Sequence, residues 1–251
     1  MKQLKPWFRD TEKPFESEDP FFFDPQEFHW TKEIEANWQV IRDELRSVIA
    51  NSAENPLAKY PQEGEKVVGK NKWRTSAMMF WGYQITENCE LFPKTWALIK
   101  DIPNLMALSF NLLEEGTTIK PHIGDTNAIA RCHMGLEIPA SLPSCGFRVG
   151  TQTKSWEEGK FFMFNDAYEH TAWNNTRANR YVLVIDVMRE QYTHTTNSTA
   201  SRVLAVIKQE ILRDEIPLIK VLFKYKIFVK LLFNSFRLVH RVQILTGANK
   251  F

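Results

Sequence analysis

Two short segments of this chain carry residue types that can bind a metal ion. The first, PHIGDTNAIARCH, covers residues 121–133, and the second, EHTAWNNTRANR, covers residues 169–180. Neutral imidazole is a good ligand for iron, zinc, copper and nickel, and a site built from two histidines and a carboxylate leaves positions on the metal open for oxygen and a co-substrate. His122 and His170 are the natural pair of ligands.

The same segments hold basic residues that suit an anionic molecule bound to the metal. An anion that chelates a metal needs cations at its other end, and the planar guanidinium of arginine binds a carboxylate through two hydrogen bonds. Arg131 and Arg180 can supply those cations, and strand alternation places His133 on the same face as Arg131. By spacing alone, a hydrogen-bonded or surface histidine is still the more common role for such residues.

Short apolar segments separated by turns predict the elements that position these residues. They cover residues 105–113, 127–138, 146–151, 160–164 and 181–188, and Gly and Pro punctuate them without a helical pattern between them. This spacing favours an antiparallel barrel or a double-sheet roll. It places His122 and His170 just outside strands and Arg180 at the start of one.

Other elements are predicted around this β region. Residues 1–30 are rich in Pro and aromatic side chains, a composition that favours an extended arm packed on the domain. A helix is predicted from Thr31, because apolar residues recur at helical spacing up to Val48. Residues 51–72 are predicted as a loop, residues 73–84 as a strand, and a short helix is expected to begin near Pro93.

Composition limits the class of protein. The 251 residues suffice for one large domain, and 32 Lys and Arg against 30 Asp and Glu give no field that would attract nucleic acid. The three cysteines are widely spaced, as expected in a reducing cytoplasm. We expect no signal peptide at the N-terminus and no membrane-spanning segment.

The region of residues 111–189 resembles the aspartyl/asparaginyl β-hydroxylases, a family of iron(II)- and 2-oxoglutarate-dependent oxygenases. The matching pieces occur in the family's order and near its spacing. They are Gly116-Thr117, PHIGDTN (121–127), RCHMGLEIP (131–139), RVG (148–150), WEEGK (156–160), FNDAYEHTAWN (164–174), Arg180 and VIDVMR (184–189). The resemblance covers about a third of the chain. It implies a double-stranded β-helix, also called a jelly roll or cupin-like fold, with flanking helices.

The resemblance also implies roles for the site residues. His122 and His170 correspond to the two iron(II) ligands, and Arg180 to the residue that pairs with the distal carboxylate of 2-oxoglutarate. Arg131 and His133 match residues near the metal-chelating end of this co-substrate. Asn111 stands where the family usually has a serine that contacts it.

A glycine stands where many relatives in the wider oxygenase superfamily have a third, acidic ligand. Gly124 is this residue, and the β-hydroxylase family shares the departure, with water expected to fill the position. Asp125 is the nearest carboxylate and could swing toward the metal. Asp166 and Glu169 flank the second histidine and are expected to act in a turn or to orient a ligand imidazole.

The C-terminal region has a different composition. Residues 216–251 contain seven Lys or Arg and no acidic residue, and a helix beginning near Lys226 would be amphipathic and basic. Its apolar face either packs on the barrel or a second subunit, the more common role, or attaches to an anionic membrane surface. We therefore predict an oxygenase domain over residues 1–192, with its arm and helix, and a basic helical extension over residues 193–251.

The resulting functional prediction is a 2-oxoglutarate-dependent dioxygenase that uses iron(II) and O2 to hydroxylate an unactivated carbon. The first candidate substrate is an Asp- or Asn-type β-carbon in a protein, peptide or amino acid. Two alternatives stay open: an acyl chain of a lipid at a membrane, and a non-catalytic jelly-roll module that binds or senses a ligand. We expect no nucleic-acid partner, a cytoplasmic location that includes the inner face of a membrane, and peripheral membrane contact or dimerisation through residues 216–245.

Overall fold

Two antiparallel β-sheets packed face to face form the core of the protein. The computed structural model describes residues 4–11, 13–59, 67–68 and 73–246. The strands in these ranges are β1 Phe22–Phe23, β2 Ala58–Lys59, β3 Val67–Val68, β4 Trp73–Phe80, β5 Tyr83–Gln84, β6 Leu105–Leu113, β7 Thr117–His122, β8 Ile129–Glu137, β9 Cys145–Val149, β10 Gln152–Lys154, β11 Phe161–Asn165, β12 His170–Asn174 and β13 Arg180–Met188.

Seven α-helices lie in the described ranges, four before the main strands and three after them. They are α1 Thr31–Ala36, α2 Trp38–Asn51, α3 Thr86–Leu91, α4 Pro93–Ile99, α5 Thr196–Glu215, α6 Pro217–Leu222 and α7 Lys226–Thr246. Short 3-10 turns occur at Arg9–Thr11, Pro25–Glu27 and Glu190–Thr195.

The larger sheet has the order β1-β11-β8-β13-β6-β4-β2, with β5 paired to β4, and the smaller sheet has the order β10-β9-β12-β7-β3. Neighbouring strands pair antiparallel, including the long central pairs of β13 with β6 and β8. This arrangement confirms the predicted mainly-β jelly roll with flanking helices.

The two faces of the larger sheet have different roles, as β8 shows. Cys132 and Met134 are fully buried and join the apolar cluster formed with helices α1 to α4 on the outer face. Arg131 and His133 alternate with them and point between the sheets, where Phe164 and Phe162 are their register partners on β11. The alternation therefore predicted correctly that both residues share the inner face.

Several predicted elements differ in their bounds. The helix from Thr31 is broken into α1 and α2 at Asn37, whose side-chain amide donates to the Glu33 carbonyl 2.9 Å away and whose backbone leaves the helical region. The histidines are not outside strands: His122 ends β7 and His170 begins β12. Both strands escaped prediction because they are short and polar, and β7 contains a proline. The predicted loop at residues 51–72 lies partly outside the described residues.

The arm and the C-terminal helices pack at the edges of this core. Phe8 forms an isolated β-bridge with Thr126, and β1 pairs with β11. Helix α5 buries apolar residues against the end of the larger sheet, forming a cluster with Phe8, Trp81, Tyr83, Met106, Ala128, Ile129, Met188 and Tyr192. Helix α7 begins at Lys226, as predicted. No helix within the described residues is long and apolar enough to cross a membrane. The division at residue 192 stays a prediction.

Candidate metal and co-substrate site

The smaller sheet places His122 and His170 side by side. They are register partners in the antiparallel pair of β7 and β12. Their ring centroids lie 4.2 Å apart, and the ring planes are inclined by 60°. His170 is buried and His122 half-buried, so the pair lies where the interior between the sheets meets its open edge.

Backbone carbonyls orient both imidazoles in the same way. His122 Nδ1 lies 2.8 Å from the Lys120 carbonyl oxygen, and His170 Nδ1 lies 2.8 Å from that of Tyr168. A carbonyl can only accept, so each Nδ1 carries the hydrogen and each Nε2 has the lone pair. This is the tautomer that a metal ligand needs, because the second nitrogen holds the ring in position.

Asp166 occupies the space that a side chain at position 124 would need. The Gly124 amide donates to the Asp166 carbonyl at 2.7 Å, and a Cβ on Gly124 would lie 1.7 Å from Asp166 Oδ2. Asp166 Oδ1 in turn lies 3.6 Å from His170 Nε2. The glycine thus brings a carboxylate beside the histidine pair from a different part of the chain. Within the described residues, however, no three His, Cys, Asp or Glu side chains are arranged to hold a metal.

Arg131 is engaged by two carboxylates. Its Nε and Nη2 donate to the two oxygens of Asp186 at 2.8 Å each, and its Nη1 donates to Asp166 Oδ1 at 2.7 Å. The structure therefore gives Arg131 a direct part in orienting Asp166. Its predicted contact with a co-substrate stays a prediction.

Arg180 has a different environment. It is 2% exposed, and its guanidinium makes no hydrogen bond or ion pair with any described residue. It lies 4.5 Å above the centre of the Trp156 ring. Burial lowers the pKa of Arg180 to about 10, so the side chain is still charged at neutral pH. A buried, unpaired cation is costly, and an entering carboxylate would relieve that cost.

His133 is another buried side chain with a polar atom that has no hydrogen-bond partner among the described residues. Its Nδ1 has no hydrogen bond to any described residue, and its ring is stacked at 11° to that of Trp156. Burial, together with the charges of Arg180 and Arg131, lowers the pKa of His133 well below its usual value. His133 is therefore neutral at pH 7 and can donate or accept a hydrogen bond without adding charge.

Asn111 lies on the inner face but has its amide in use. Its Oδ1 accepts from Trp73 Nε1 at 3.0 Å, and its Nδ2 donates to Ser109 Oγ at 2.8 Å. The Trp73 ring centroid lies 6.5 Å from that of His122. Trp73 and Trp156 were not predicted as site residues, although Trp156 belongs to the matched WEEGK piece.

The Asp125 carboxylate is bound by the N-terminal arm. Its Oδ1 accepts from Arg9 Nη2 at 3.0 Å, and the same nitrogen lies 3.0 Å from a carboxylate oxygen of Glu210 on α5. Arg9 comes from the N-terminal arm, so Asp125 joins the arm to the segment after His122. The predicted movement of the Asp125 carboxylate toward the metal stays a prediction.

The residues present fit an iron(II) ion together with a chelating dicarboxylate. Two imidazoles of the correct tautomer supply few protein ligands, which leaves room on the metal for a bidentate organic anion. The unpaired Arg180 suits the anion's far carboxylate, and the neutral His133 lies against the same Trp156 ring. Phe147, Phe162 and Phe164 surround His133 and make its environment apolar.

Comparison with known proteins identifies the family of this chain. The family model for aspartyl/asparaginyl β-hydroxylases matches residues 35–190. An ornithine lipid ester-linked acyl 2-hydroxylase of Rhizobium tropici is 34% identical over 172 residues, covering 68% of this chain and 61% of that protein. Human aspartyl/asparaginyl β-hydroxylase is 30% identical over 67% of this chain and 23% of its own length. A solved Pseudomonas putida prolyl-4-hydroxylase has 14% identity and a TM-score of 0.41, covering 62% of this chain and 88% of that one.

The chain spans less than two thirds of the length of either curated relative. The family match nevertheless covers more than half of the chain and includes all six predicted site residues, from Asn111 to Arg180. The chain therefore belongs to the aspartyl/asparaginyl β-hydroxylase family of enzymes.

Proposed function

We propose that this protein hydroxylates an unactivated carbon with iron(II), 2-oxoglutarate and O2. The observation that carries the proposal is Arg180, a charged and buried guanidinium without a partner among the described residues. A buried charge without a partner has a desolvation cost, and a bound carboxylate would remove that cost. The family membership supports the same reaction.

Each site residue has a part in this proposal. His122 and His170 hold the metal through Nε2, and their Nδ1–H groups, bound to carbonyls, prevent the rings from turning. Arg180 holds the distal carboxylate of 2-oxoglutarate, and His133 contacts the co-substrate without adding charge. Iron(II), with 2-oxoglutarate and O2, supplies the oxidising power that converts a C–H bond to an alcohol.

Two further carboxylate and aromatic features support the site. Arg131 holds Asp166 beside His170, where its charge favours a cation at the histidine pair. Arg180 is buried against the Trp156 ring, and the low polarity of these surroundings would strengthen its pairing with a carboxylate. Asn111 contributes through Trp73, whose indole it holds next to His122.

For the substrate class, we propose an acyl chain of a membrane lipid. The rhizobial relative, whose name describes a lipid acyl 2-hydroxylase, is the more similar of the two curated relatives compared above. An Asp or Asn β-carbon in a protein is the second candidate, supported by the human relative. The proposed location is the cytoplasm, at the inner face of a membrane, which agrees with three buried free cysteines, Cys89, Cys132 and Cys145.

The first experiment measures co-substrate binding without turnover. Anaerobic titration of 2-oxoglutarate into the Fe(II)-loaded protein should give saturable binding. Calorimetry and the visible charge-transfer absorption measure this binding. His170→Ala should abolish the absorption and weaken binding at least about tenfold, whereas His194→Ala, at an exposed position, should leave both unchanged. Absence of binding at millimolar 2-oxoglutarate would contradict the proposed function.

The second experiment distinguishes the substrates and the non-catalytic alternative. Lipid and protein extracts from cells with and without the protein are compared by mass spectrometry for the gain of one oxygen atom. The proposal expects the gain in an acyl chain, with succinate release by the purified protein on the identified lipid. A gain confined to Asp or Asn residues would assign the second candidate, and 2-oxoglutarate binding without any oxygenated product would assign a binding module.

A further inference from the structure

Helix α7 has one side that packs on the protein. Its Val229 carbonyl accepts a hydrogen bond from Gln209 Nε2 of α5 at 2.7 Å. Near its other end, the Tyr83 hydroxyl lies 2.8 Å from Gln243 Oε1 and 3.0 Å from His240 Nδ1. The helix is thus held along its length against both α5 and the end of the larger sheet, and its outer side has a defined orientation.

The outer side of α7 is apolar. Five large aliphatic side chains are 50–77% exposed there: Ile227 77%, Leu231 62%, Leu238 63%, Val242 50% and Leu245 64%. At 3.6 residues per turn these positions fall within an arc of about 60° and extend over about 27 Å of helix. We call this set the exposed stripe. A row of exposed aliphatic side chains of this kind marks a candidate interaction site.

A row of cations borders the exposed stripe along one side. Lys226, Lys230, Arg237 and Arg241 occupy the adjacent arc of about 60°. Residues 216–251 contain no Asp or Glu that would neutralise them. The outer surface of α7 therefore combines large aliphatic side chains with a row of positive charges along the same edge.

We propose that the exposed stripe and its basic border dock on the surface of an anionic phospholipid bilayer. An in-plane helix can bury its aliphatic side chains at the boundary of headgroups and acyl chains, while long basic side chains reach the lipid phosphates. Each Lys or Arg near an anionic leaflet adds attraction. A single anionic bilayer surface can therefore bind both the aliphatic side chains of the stripe and the basic side chains of its border.

A second copy of the chain fits this surface less well. In an antiparallel two-fold pair through the exposed stripe, the basic border of one helix would lie against the same border of the other. The opposite edge offers no acidic residue within residues 216–251 to pair with it. Repulsion between the two basic borders would therefore oppose the free energy gained by burying the apolar side chains in such a dimer.

The docking surface is mechanically connected to the candidate site. Helix α7 is bonded to α5 through Gln209, and Glu210, the next residue of α5, is paired with Arg9. Arg9 also binds Asp125, three residues after His122. A bilayer bound to α7 would thus hold the oxygenase core in a defined orientation. Docking does not depend on the identity of the substrate, so it can be tested separately from the proposed function.

The test is co-sedimentation of the full chain with vesicles. Vesicles of phosphatidylcholine containing phosphatidylglycerol should bind the protein, and binding should weaken with salt and with pure phosphatidylcholine. Leu231→Gln/Leu238→Gln should reduce the partition coefficient about tenfold or more. Replacing the four basic border residues by Gln should do the same for the anionic vesicles.

Matched controls separate docking from general effects. Val40→Gln/Leu91→Gln changes two apolar residues that are 42% and 39% exposed elsewhere, and it should bind vesicles like the wild type. The stripe variants should keep wild-type 2-oxoglutarate binding, because no changed residue contacts the site. Equal binding of the stripe variant and the wild type, or no preference for anionic vesicles, would overturn the proposal. A dimer in sedimentation velocity that dissociates in Leu231→Gln/Leu238→Gln, without vesicle binding, would assign the face to a second copy.

Discussion

Burying a guanidinium without a partner costs free energy, and Arg180 is buried in this way. Replacing it by Met, which has similar length and no charge, should therefore leave the protein without 2-oxoglutarate as stable as the wild type or more stable, by about 1 kcal/mol or more. The same change should raise the Kd for 2-oxoglutarate about a hundredfold, because the distal carboxylate loses its cation. Chemical denaturation and calorimetry measure the two effects.

Stability should be kept or increased while affinity for 2-oxoglutarate falls, and this combination is specific to a ligand-binding arginine. The control is Arg177→Met, three residues earlier on an exposed part of the same connection, which should change neither quantity. If Arg180→Met destabilised the unliganded protein and left 2-oxoglutarate affinity intact, Arg180 would be a structural residue stabilised by Trp156.

The residue types at the site were predictable, but their partners were only partly so. The spacing and the resemblance singled out His122, His170 and Arg180, and the fold brings the first two into contact. For Arg131, alternation gave the direction of the side chain. It could not give Asp166 and Asp186, because those contacts depend on strand register across the sheet. The roles of these residues in binding metal and co-substrate stay predictions.

At the level of elements, the connection after β7 requires a glycine for a steric reason. A Cβ at position 124 would lie 1.7 Å from Asp166 Oδ2 and 2.8 Å from the Asp166 carbonyl oxygen. Gly124→Ala should displace this carboxylate from Arg131 and His170 and lower the free energy of unfolding by about 1–3 kcal/mol. Metal affinity should fall with it, measured by titration of Fe(II) or Mn(II).

A double-mutant cycle isolates the clash. In an Asp166→Ala background the side-chain part of the overlap is gone, so Gly124→Ala should cost distinctly less there than in the wild type. The remaining cost reports the backbone contact. Equal costs in the two backgrounds would mean that the Asp166 carboxylate is not what excludes a side chain at position 124.

Element prediction succeeded for strands with a clear apolar pattern, including the five-residue β9 and β11, and failed where that pattern was missing or fitted more than one arrangement. The nine-residue strands β6, β8 and β13 carried a clear apolar pattern and were predicted within a few residues. The short strands β7 and β12 carried no such pattern and were not predicted. For α7 the helix was predictable, but nearly all of its surface outside the basic arc is apolar. Only the packing against α5 separates a buried side from the exposed stripe.

For the whole molecule, Arg9 joins three parts that are far apart in sequence. The N-terminal arm carries it, and its guanidinium binds Asp125 after β7 and Glu210 on α5. A second pair, Arg202 with Asp10 at 2.8 Å, joins the arm to α5 without touching the segment after His122. The two pairs therefore differ in whether they reach the site. No local sequence pattern could reveal this, because each contact spans more than a hundred residues.

Arg9→Met should consequently act on both stability and the site. Asp125 and Glu210 would lose their shared cation. This loss should lower the free energy of unfolding by about 1–2 kcal/mol, a value that already allows for the partial exposure of the three groups. Amide exchange over residues 123–127 should accelerate, and Fe(II) affinity should fall severalfold, because His122 borders that segment. Arg202→Met should cost less than about 1 kcal/mol and leave the exchange of these residues unchanged. If both variants changed the segment after His122 equally, the arm as a whole, and not Arg9, would support the site.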